Sequence, residues 1–318
     1  MMIRKIVDRI EKQAGVPDLL NTLVNNISLS DLQSLLLEVY RQKAETLTPH
    51  QLLTQYEHNR FVRIANENPK TFIDFDRLAY SLLPDDFEPI ELSPVCPLGT
   101  NSVLAPVDQN NVVTTIRNTE VCADSTNILA LECALRRRDV LHNKIRHNKN
   151  VKLCASQRLI RAQTFKGVDS FAHFRIFSLC TAGRDTGSYR FEIESVLAHI
   201  HFYIRLLRRM DDLKRPVTGI RVAFMIYTES LVEIVKTEIA AVLAKTYPDY
   251  KFEVDFDDTP QTYYTGLRYQ LHATNTDDDE YFLVDGGFTD WTQKLLSNGK
   301  ERLLIGGMGS ERFLVCFK

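Results

Sequence analysis

The chain has 318 residues, of which 44% are hydrophobic, so it can bury at least one sizeable core. With a formal net charge of -2, the chain has no overall positive field to attract nucleic acid, so nucleic-acid binding would need a local basic patch. No apolar run approaches the length needed to cross a bilayer, and charges interrupt the opening residues where a signal peptide is apolar. We expect a soluble, cytoplasmic protein with no membrane partner.

Residues 1–75 carry the periodicity of amphipathic helices. In IRKIVDRIEKQ, DLLNTLVNNI and SDLQSLLLEVYRQKAETL, apolar residues recur three and four positions apart, as they do along one face of a helix. Ser30 or Asp31 can cap the last of these helices at its N-terminus. We predict a helical N-terminal region over residues 1–75, either a small bundle or a flap on the main domain.

From about residue 80 the chain changes to short extended segments between proline and glycine turns. The segments with the pattern of strands are VVTTIRNTEV, QRLIRAQTF, FAHFRIFSL, GIRVAFMIY, KFEVDFD, YYTGLRYQLHA and EYFLVDGG. The segments with the pattern of helices are STNILALECALRRRDVLHNKI, FEIESVLAHIHFYIRLLRRM and SLVEIVKTEIAAVLAKTY. Consecutive strands without a regular βαβ rhythm predict an α+β domain over residues 76–318, built on a mainly antiparallel sheet.

The strand-like segment QTYYTGLRYQLHA, residues 261–273, has two different faces. Tyr263 and every second residue up to Leu271 form a face typical of a core. The other face carries Tyr264, Gly266, Arg268 and an amide. A solvent-facing edge strand and the floor of a ligand pocket both fit this second face, because glycine lets a ligand approach the backbone while polar groups orient it.

Three further stretches combine strands with polar or glycine-rich turns. QRLIRAQTFKGVDSFAHFRIF places a polar loop between two strands, and VDGGFTDWTQKLL places a double glycine between a strand and a helix. RLLIGGMGSERFLVCFK has an apolar strand, a glycine-rich turn and then a Glu-Arg pair. Local signals also permit a β-hairpin that closes on Gly-Met-Gly-Ser, and a glycine turn alone is weak support for phosphate binding.

Taken together and in order, these segments resemble the catalytic core of class II aminoacyl-tRNA synthetases, in the histidyl-tRNA synthetase branch. FEPIELSPV, with Pro94, resembles the first motif, whose proline lies at the dimer interface, and RLIRAQTF…SFAHFRIFSL resembles the second. YYTGLRYQL resembles the branch's Tyr-Tyr-Thr-Gly strand, and IGGMGSERFL resembles the third motif. VDGGFTDWTQKLL resembles its Gly-Gly-Arg-Tyr-Asp segment, with Phe288 and Thr289 in place of Arg-Tyr. The resemblance covers about residues 76–318 and implies a mainly antiparallel sheet flanked by helices.

The resemblance implies a reaction in which ATP and a small-molecule acid form an adenylate in the presence of Mg²⁺. Arginines would stabilise the charge that develops during this reaction. Arg161 would hold the α-phosphate, Arg312 the γ-phosphate, and Phe174 would stack on adenine. The other nucleotide-binding candidates are Gln163, Gly307 and Gly309. The candidates for the amino-acid pocket are Tyr263, Tyr264, Gly266, Gly286 and Gly287. Without the family context, Arg161 and Arg312 would be interpreted as ordinary surface or ion-pair arginines.

Several positions depart from the histidyl pattern. Thr259 stands where the family has an arginine near the α-phosphate, and Gln163 stands in place of an acid. Ile176 and Cys180 replace the glutamine and glutamate that hold histidine. The chain ends six residues after the Glu-Arg pair, so we expect no anticodon-binding domain. The protein is therefore not expected to be a genuine histidyl-tRNA synthetase.

Arg268 is a candidate replacement for the missing arginine. It shares a predicted strand face with Tyr264, so it could reach the α-phosphate if that face lines the pocket. We include it as a third catalytic candidate beside Arg161 and Arg312.

A basic run extends from Arg136 to Arg161, RRRDVLHNKIRHNKNVKLCASQRLIR, with one acid among many bases. It fits a solvated helix and loop, and it also fits a docking patch for RNA, a nucleotide or an acidic protein partner, whose binding would weaken with salt. The run has no aromatic residues for base stacking, which disfavours recognition of single strands.

No zinc site is expected from the cysteines and histidines. The six cysteines are scattered without a Cys-x-x-Cys pair, a pattern typical of buried thiols in a reducing compartment. His199 and His201 lie on different faces of a predicted helix, with no acidic partner at helical spacing.

Two functions follow from these observations. The first is a synthetase-like paralogue that binds ATP or a related nucleotide and activates a carboxylic or amino acid other than histidine. The alternative is a non-catalytic regulatory or binding protein, similar to the regulatory subunit of ATP phosphoribosyltransferase. In both cases we expect a homodimer, because class II cores pair through the first motif and symmetric dimers are the commonest assembly.

Overall fold

The computed structural model describes residues 2–143, 149–163 and 171–318. The chain divides into a smaller unit and a larger unit, which are Met1–Arg63 with Thr114–Thr119 and Ile64–Val113 with Glu120–Lys318. The boundary predicted at residue 75 falls inside the helix Pro69–Ser81, whose buried residues Phe72 and Phe75 belong to the core of the larger unit.

Helices account for much of the described chain. The α-helices are α1 (Met2–Ala14), α2 (Leu19–Asn21), α3 (Leu29–Glu45), α4 (Pro49–His58), α5 (Pro69–Ser81), α6 (Ser125–His142), α7 (Arg190–Arg208), α8 (Val232–Ile234), α9 (Ala241–Thr246), α10 (Trp291–Leu296) and α11 (Ser310–Cys316). Short π-helical and 3₁₀ turns lie at Thr22–Asn26, Thr100–Leu104, Gln109–Asn111, Met210–Leu213, Glu229–Leu231 and Val235–Ala240. Within the described ranges, no helix combines the length and the apolar character that crossing a bilayer requires.

Helix α3 begins two residues earlier than the sequence suggested. Ser28, rather than Ser30 or Asp31, is the N-cap, and its side chain accepts a hydrogen bond from the Asp31 backbone N–H. This bond satisfies one of the free amide groups of the first turn, so Asp31 lies inside the helix near its positive end.

One mainly antiparallel sheet organises the larger unit. The strands are β1 (Glu88–Pro89), β2 (Val95–Pro97), β3 (Thr119–Val121), β4 (Val151–Ile160), β5 (His173–Arg184), β6 (Gly219–Ile226), β7 (Lys251–Phe256), β8 (Leu267–Thr274), β9 (Glu280–Thr289) and β10 (Glu301–Met308). Eight of these described strands form a sheet in the order β1-β4-β5-β10-β9-β8-β6-β7. The outer pairs β1–β4 and β6–β7 are parallel, and every pair between them is antiparallel. The predicted α+β class is confirmed.

Alternation along the strands produces the core. In β8, Leu267, Tyr269 and Leu271 are buried, whereas the residues between them are half-buried, as expected when neighbouring side chains point to opposite faces. The same residues join α5, α7 and β6 in one large apolar cluster. A second, smaller cluster contains Trp291, and Tyr263 and Tyr264 pack against it while still half-exposed. The candidate site lies beside this second cluster.

One predicted strand was wrong, and one alternative that the sequence left open is excluded. Most of VVTTIRNTEV is a turn rather than a strand, because Thr115 N–H donates to the Thr119 carbonyl at 2.9 Å and Asn118 has a φ of 55°. The hairpin alternative for the last residues is also excluded: β10 runs through Gly306 and Gly307 in register with β9, and α11 follows from Ser310.

Candidate functional site

A cavity of about 820 Å³ lies in the larger unit, within the size range of small-molecule sites. Residues from β5, β8, β9 and β10 line it, together with the segment after β4 and the segments before α6 and β8. Nine of the twelve sequence-predicted site residues are among its walls: Arg161, Gln163, Phe174, Tyr263, Tyr264, Arg268, Gly307, Gly309 and Arg312. Gly266, Gly286 and Gly287 do not line it. The structure therefore brings together candidates as far apart in the chain as Arg161 and Arg312.

Arg161 directly follows the end of β4, Phe174 stands near the start of β5, and the two side chains contact each other. The Arg161 Cζ atom lies 5.0 Å from the centre of the Phe174 ring, so the guanidinium covers one face of that ring. Arg161 Nη2 donates to Asp124 Oδ2 at 3.2 Å, and Nε donates to the Ala123 carbonyl at 2.9 Å. An adenine that stacked on Phe174 would have to use its other face.

Asp124 joins the start of α6 to the cavity. As the N-cap of α6 it accepts from the Thr126 backbone N–H at 2.9 Å and from the Thr126 hydroxyl at 2.8 Å. Its other oxygen accepts from Arg161, so one carboxylate caps a helix and holds an arginine of the cavity. Asp124 was not among the sequence-predicted site residues, although an Asp-Ser-Thr start before a helix is a capping signal.

Arg268 and Asp285 form a bidentate ion pair on the cavity wall. Arg268 Nε lies 2.8 Å from Asp285 Oδ1, and Nη2 lies 3.0 Å from Oδ2. Burial raises the pKa of Asp285, against the hydrogen bonds from Arg268 and Tyr264, which lower it. The Arg268 guanidinium also lies 5.5 Å from the Tyr264 ring centre. Arg268 is thus in the cavity, but a phosphate would compete with Asp285 for it.

The two tyrosines of YYTG lie on the same side rather than on opposite faces of a strand. Strand β8 begins only at Leu267, because Gly266 has a φ of 71°, a left-handed conformation that glycine adopts readily. Tyr263 and Tyr264 precede this bend and pack edge to face, with ring centres 4.7 Å apart. Tyr263 also packs edge to face against Trp291, with ring centres 5.4 Å apart. Burial raises the pKa of both tyrosines well above the ordinary value, so both are neutral donors.

The double glycine of β9 accommodates aromatic side chains rather than a ligand. A Cβ atom on Gly286 would come within 2.4 Å of the Tyr269 hydroxyl oxygen, on the core side of the sheet. A Cβ atom on Gly287 would come within 2.6 Å of the Tyr264 ring. Gly287 therefore leaves room for the Tyr264 ring of the cavity wall, and Gly286 leaves room for Tyr269 in the core.

The end of β10 and the start of α11 complete the opposite wall. Gly307, Gly309 and the half-buried Arg312 line the cavity here. The neighbouring Glu311 is buried and points elsewhere, because its Oε2 accepts from Arg158 Nη1 at 2.9 Å and from the Arg175 backbone N–H at 3.1 Å. The Glu-Arg pair therefore splits into a structural acid and a cavity arginine.

A buried network of hydrogen bonds lies at one wall of the cavity, and none of its residues was a sequence-predicted candidate. Glu120 accepts hydrogen bonds from the backbone and side chain of Asn101, whose Oδ1 accepts from Asn127 Nδ2 at 2.8 Å. Burial acts to raise the pKa of Glu120, but hydrogen bonds from Asn101, Gln109 and Gly99 outweigh it and lower that pKa. Asn101 and Asn127 line the cavity. Their partners are 19 or more residues away, so no local pattern signals the network.

The two positions that replace the histidine-binding glutamine and glutamate, Ile176 and Cys180, give no strong polar partner for an imidazole. Ile176 lines the cavity with an apolar side chain. Cys180 is fully buried, and burial raises the pKa of its thiol well above the ordinary value. Thr259 is not among the lining residues and donates to Asp257 instead.

The described part of the basic run is largely neutralised by carboxylates. Arg136 pairs with Glu88 and Glu132, and Arg137 pairs with Glu301. The other paired bases of the run are Lys152 with Asp86, Arg158 with Glu311 and Arg161 with Asp124. Positions 144–148 of the run lie outside the described residues. The docking patch stays a prediction, with less free positive charge than the sequence alone suggests.

The structure also gives the state of the candidate metal ligands. In the described ranges, no group of three or more His, Cys, Asp or Glu side chains is placed to hold a metal ion. All six cysteines are free thiols; Cys316 is half-buried and the other five are buried.

Comparison with known proteins supports the fold. No protein-family model and no curated protein sequence matches the chain. An ATP phosphoribosyltransferase regulatory subunit/histidyl-tRNA synthetase from Bacillus halodurans C matches over 80% of this chain and 84% of its own, with 14% identity and a TM-score of 0.54. Histidyl-tRNA synthetase from S. aureus matches over 81% of this chain and 68% of its own, with 14% identity and a TM-score of 0.55.

A histidine–tRNA ligase subunit from Alicyclobacillus acidocaldarius is similar as well, over 79% of this chain and 94% of its own, with 10% identity and a TM-score of 0.53. Over most of its length the chain therefore shares the fold of a class II aminoacyl-tRNA synthetase catalytic core, a fold also found in a putative threonyl-tRNA synthetase from Aeropyrum pernix with 13% identity and a TM-score of 0.58. This confirms the fold that the order of the motifs predicted. At such low identity the likeness is one of fold, so function has to be argued from the cavity.

Proposed function

We propose that the cavity binds ATP or a related nucleotide. One observation carries this proposal: Arg161 with Phe174, and Arg312 from the far end of the chain, line the same cavity of about 820 Å³. An aromatic ring offers a face for a base, and guanidinium groups match the geometry of phosphate oxygens. A volume of this size accommodates a nucleotide.

The charge of the lining also favours a polyphosphate. Among the described lining residues, four are arginines (Arg161, Arg175, Arg268 and Arg312), against two aspartates (Asp124 and Asp285), and Arg175 is paired with Asp76 outside the lining, so the net excess is one positive charge. Such an excess of cationic donors in a concave, partly desolvated site attracts an anion. Mg²⁺ usually binds through one or two carboxylates plus substrate phosphates, and Asp124 and Asp285 are each already paired with an arginine. We therefore expect any Mg²⁺ to be held mainly by the nucleotide.

A second candidate function is activation of an acid as an adenylate. The observation that favours it is the polar end of the cavity beside Arg161, where Asp124, Thr126 and Tyr263 lie together. Such groups could orient a small amino or carboxylic acid next to the α-phosphate. Ile176 and Cys180 disfavour histidine as that acid, because they offer its ring no strong hydrogen-bond partner.

The regulatory alternative draws on the ion pairs. Arg161 and Arg268 are each paired with a carboxylate, so either would have to give up that partner to stabilise a transition state fully. One protein of the same fold is named both as a regulatory subunit and as a synthetase, so the fold itself does not separate the two functions.

Nucleotide binding can be measured with the chain's own fluorophore. Trp291 is the sole tryptophan, and its ring contacts Tyr263 of the cavity wall. We expect Mg²⁺-ATP to change Trp291 fluorescence saturably, and Arg312→Ala to weaken binding at least about tenfold, since a charged hydrogen bond contributes roughly 1.5–3 kcal/mol. Arg312→Lys keeps the charge and tests for misfolding, and Arg209→Ala, at an exposed arginine paired with Asp212, is the matched control. Binding that is absent in the wild type, or equal in all variants, would contradict the proposal.

ATP–pyrophosphate exchange then separates the catalytic function from the regulatory one. The chain is assayed with Mg²⁺ and a pool of the common amino acids. Exchange that depends on one amino acid and disappears in Arg312→Ala supports adenylation. Arg268→Ala should then be inactive if Arg268 replaces the arginine missing at Thr259. Nucleotide binding without exchange supports a regulatory or binding protein.

Pairing through the first motif remains part of the proposal. Pro94 is exposed, and a groove of about 370 Å³ between the segment just before it and α6 is lined by Leu92, Leu131 and Leu135 among others. Leu135→Asp should weaken a dimer formed through this surface, and analytical ultracentrifugation would measure the change. A dimer of unchanged affinity would exclude this surface.

A further inference from the structure

The smaller unit has no core of its own. None of its described residues, 3–63 and 114–119, is buried, whereas a folded unit of this size normally buries more than half of its surface. Fifteen large apolar side chains are exposed in it, against eight in the much longer larger unit. Such a concentration of exposed apolar residues is characteristic of an interaction surface.

Ten of the fifteen exposed side chains lie on the three helices α1, α3 and α4. On α1, Ile3, Ile6 and Ile10 recur at helical spacing and form an apolar stripe, the isoleucine stripe; Ile3 is 58% exposed. On α3 and α4 the exposed apolar residues are Leu29, Leu35, Val39, Tyr40, Leu52, Leu53 and Tyr56. Since both sets remain exposed, these helices do not cover one another within one chain.

The charges of these helices are complementary. Helix α1 carries four basic and two acidic residues, a net charge of +2. Helices α3 and α4 together carry two basic and four acidic residues, a net charge of -2 with histidine neutral. The unit as a whole carries nine basic and seven acidic side chains, a net charge of +2 spread over 69 residues, which is a weak attraction for a polyanion or an anionic membrane.

We propose that the partner is a second copy of this chain. The isoleucine stripe of one copy packs on the exposed apolar side chains of α3 and α4 of the other, and the reverse contact forms by symmetry. Each copy contributes ten exposed apolar side chains to the contact, three from α1 and seven from α3 and α4, as the centre of an interface that in stable complexes buries roughly 800 Å² per partner. A symmetric dimer repeats the favourable pairing of +2 with -2 twice. This inference is independent of the cavity and of nucleotide binding.

A charge exchange between two variants tests this contact in the full chain. Arg4→Glu with Arg9→Glu changes the net charge of α1 from +2 to -2. Glu38→Lys with Glu57→Lys changes that of α3 and α4 from -2 to +2. All four residues are exposed, so the substitutions should not disturb packing within a chain. Every protein in the test also carries Leu135→Asp, so that pairing near Pro94 does not contribute, and the chain with that substitution alone serves as the wild type. Sedimentation equilibrium at low salt measures the association of each variant and of their equimolar mixture.

Each double variant alone should self-associate at least about tenfold more weakly than the wild type, because like charges then face each other. The mixture should regain association to within about threefold of the wild type, because every contact again joins opposite charges. Arg208→Glu with Arg209→Glu, on exposed positions of the larger unit, is the control and should leave association unchanged. Ile6→Asp should abolish the contact without altering nucleotide binding.

Three results would overturn the proposal. A wild type that stays monomeric at every concentration would mean that the apolar faces are covered within one chain or by another protein. Double variants that associate as tightly as the wild type would place the contact on a surface other than these helices. A mixture no more associated than its components would exclude the pairing of α1 with α3 and α4.

Discussion

Arg268 and Asp285 stand on neighbouring antiparallel strands and hold each other by two hydrogen bonds across the cavity wall. They are diagonal partners, because Arg268 is in register with Gly287 and Asp285 with Gln270. Glycine opposite Arg268 leaves space for its long side chain to lie against Tyr264. The pair therefore sets the charge of this wall close to zero until a ligand competes for one partner.

This arrangement predicts that Asp285→Asn strengthens nucleotide binding. The substitution removes the carboxylate that competes with phosphate for Arg268, and it makes the cavity more positive. We expect the dissociation constant of Mg²⁺-ATP to fall about tenfold at low salt, and less at high salt because screening weakens the added attraction. Trp291 fluorescence measures this change, with Glu253→Gln on the exposed strand β7 as the control. Weaker binding in Asp285→Asn would show instead that the carboxylate orients the ligand.

The same pair should be energetically coupled in the folded protein. Arg268→Gln leaves Asp285 without its cation, and Asp285→Asn leaves Arg268 without its anion. Because both side chains are about one third exposed, we expect a coupling free energy of about 1–2 kcal/mol, between the values for exposed and buried pairs. Urea unfolding of both single variants and the double variant measures it. Additive losses would mean that the two bonds contribute little in water.

The fold was predictable because its signals are local and ordered. Alternation in β8 and β9, the glycine-rich end of β10 and the helix after it can all be recognised in short windows, and their order indicated the class of fold. The nine cavity residues came from the same motifs. Pairs such as Arg161 with Asp124, or Arg268 with Asp285, could not be predicted, since they join segments that only the folded sheet brings together.

The differences have equally local causes. Tyr263 and Tyr264 were assigned to opposite faces of a strand, but the left-handed backbone at Gly266 starts the strand after them. A period-two pattern cannot reveal such a bend, because the pattern assumes extended backbone throughout. Gly286 was interpreted as a ligand contact, whereas it accommodates the Tyr269 ring. A glycine that makes room for a ligand and one that makes room for a neighbour look alike in a sequence.

Gly286→Ala should therefore destabilise the fold. Its Cβ atom would approach the Tyr269 ring and hydroxyl and lie 2.6 Å from the Ile305 carbonyl oxygen, which belongs to the paired strand β10. We expect a loss of about 1–3 kcal/mol, typical of overpacking in a core. Gly299→Ala is the matched control, because nothing lies within 4 Å of its Cβ position, and it should be neutral or slightly stabilising. Denaturant unfolding distinguishes the two, and equal stabilities would contradict the close packing seen at Gly286.

The buried ion pair of Arg137 and Glu301 should matter far more than exposed pairs. Both side chains are fully buried, with Arg137 Nε 2.8 Å from Glu301 Oε2. Glu301→Gln leaves a buried guanidinium without its counter-charge, and we expect a loss of about 3–5 kcal/mol of unfolding free energy. Glu253→Gln removes an exposed partner of Arg221 and should cost about 0–1 kcal/mol. Thermal and urea unfolding provide the comparison, and similar losses in both variants would contradict it.

His199 should make the stability of the protein depend on pH below neutrality. The ring is fully buried between Thr181 and Tyr269, with its nitrogens 2.9 and 3.0 Å from their hydroxyl oxygens, and burial lowers its pKa from 6.5 to about 3. Below about pH 6.5 the His199 ring binds a proton in the unfolded chain, whereas in the folded chain it stays neutral down to about pH 3. The free energy of unfolding should therefore be highest above pH 6.5 and fall on acidification, by at most about 1.4 kcal/mol per pH unit from this group.

His199→Gln isolates this contribution, because an amide can replace one of the hydrogen bonds but does not titrate. The variant should be less stable than the wild type at pH 7, since it packs less well, yet lose less stability between pH 6.5 and pH 4. Carboxylates that titrate in the same range act on both proteins, so the difference between the two pH profiles belongs to His199. Parallel profiles, with His58→Gln at an exposed position as a further control, would show that the folded protein admits the proton. That result would require water or a carboxylate to reach the ring, in place of the two hydroxyl groups that now enclose it.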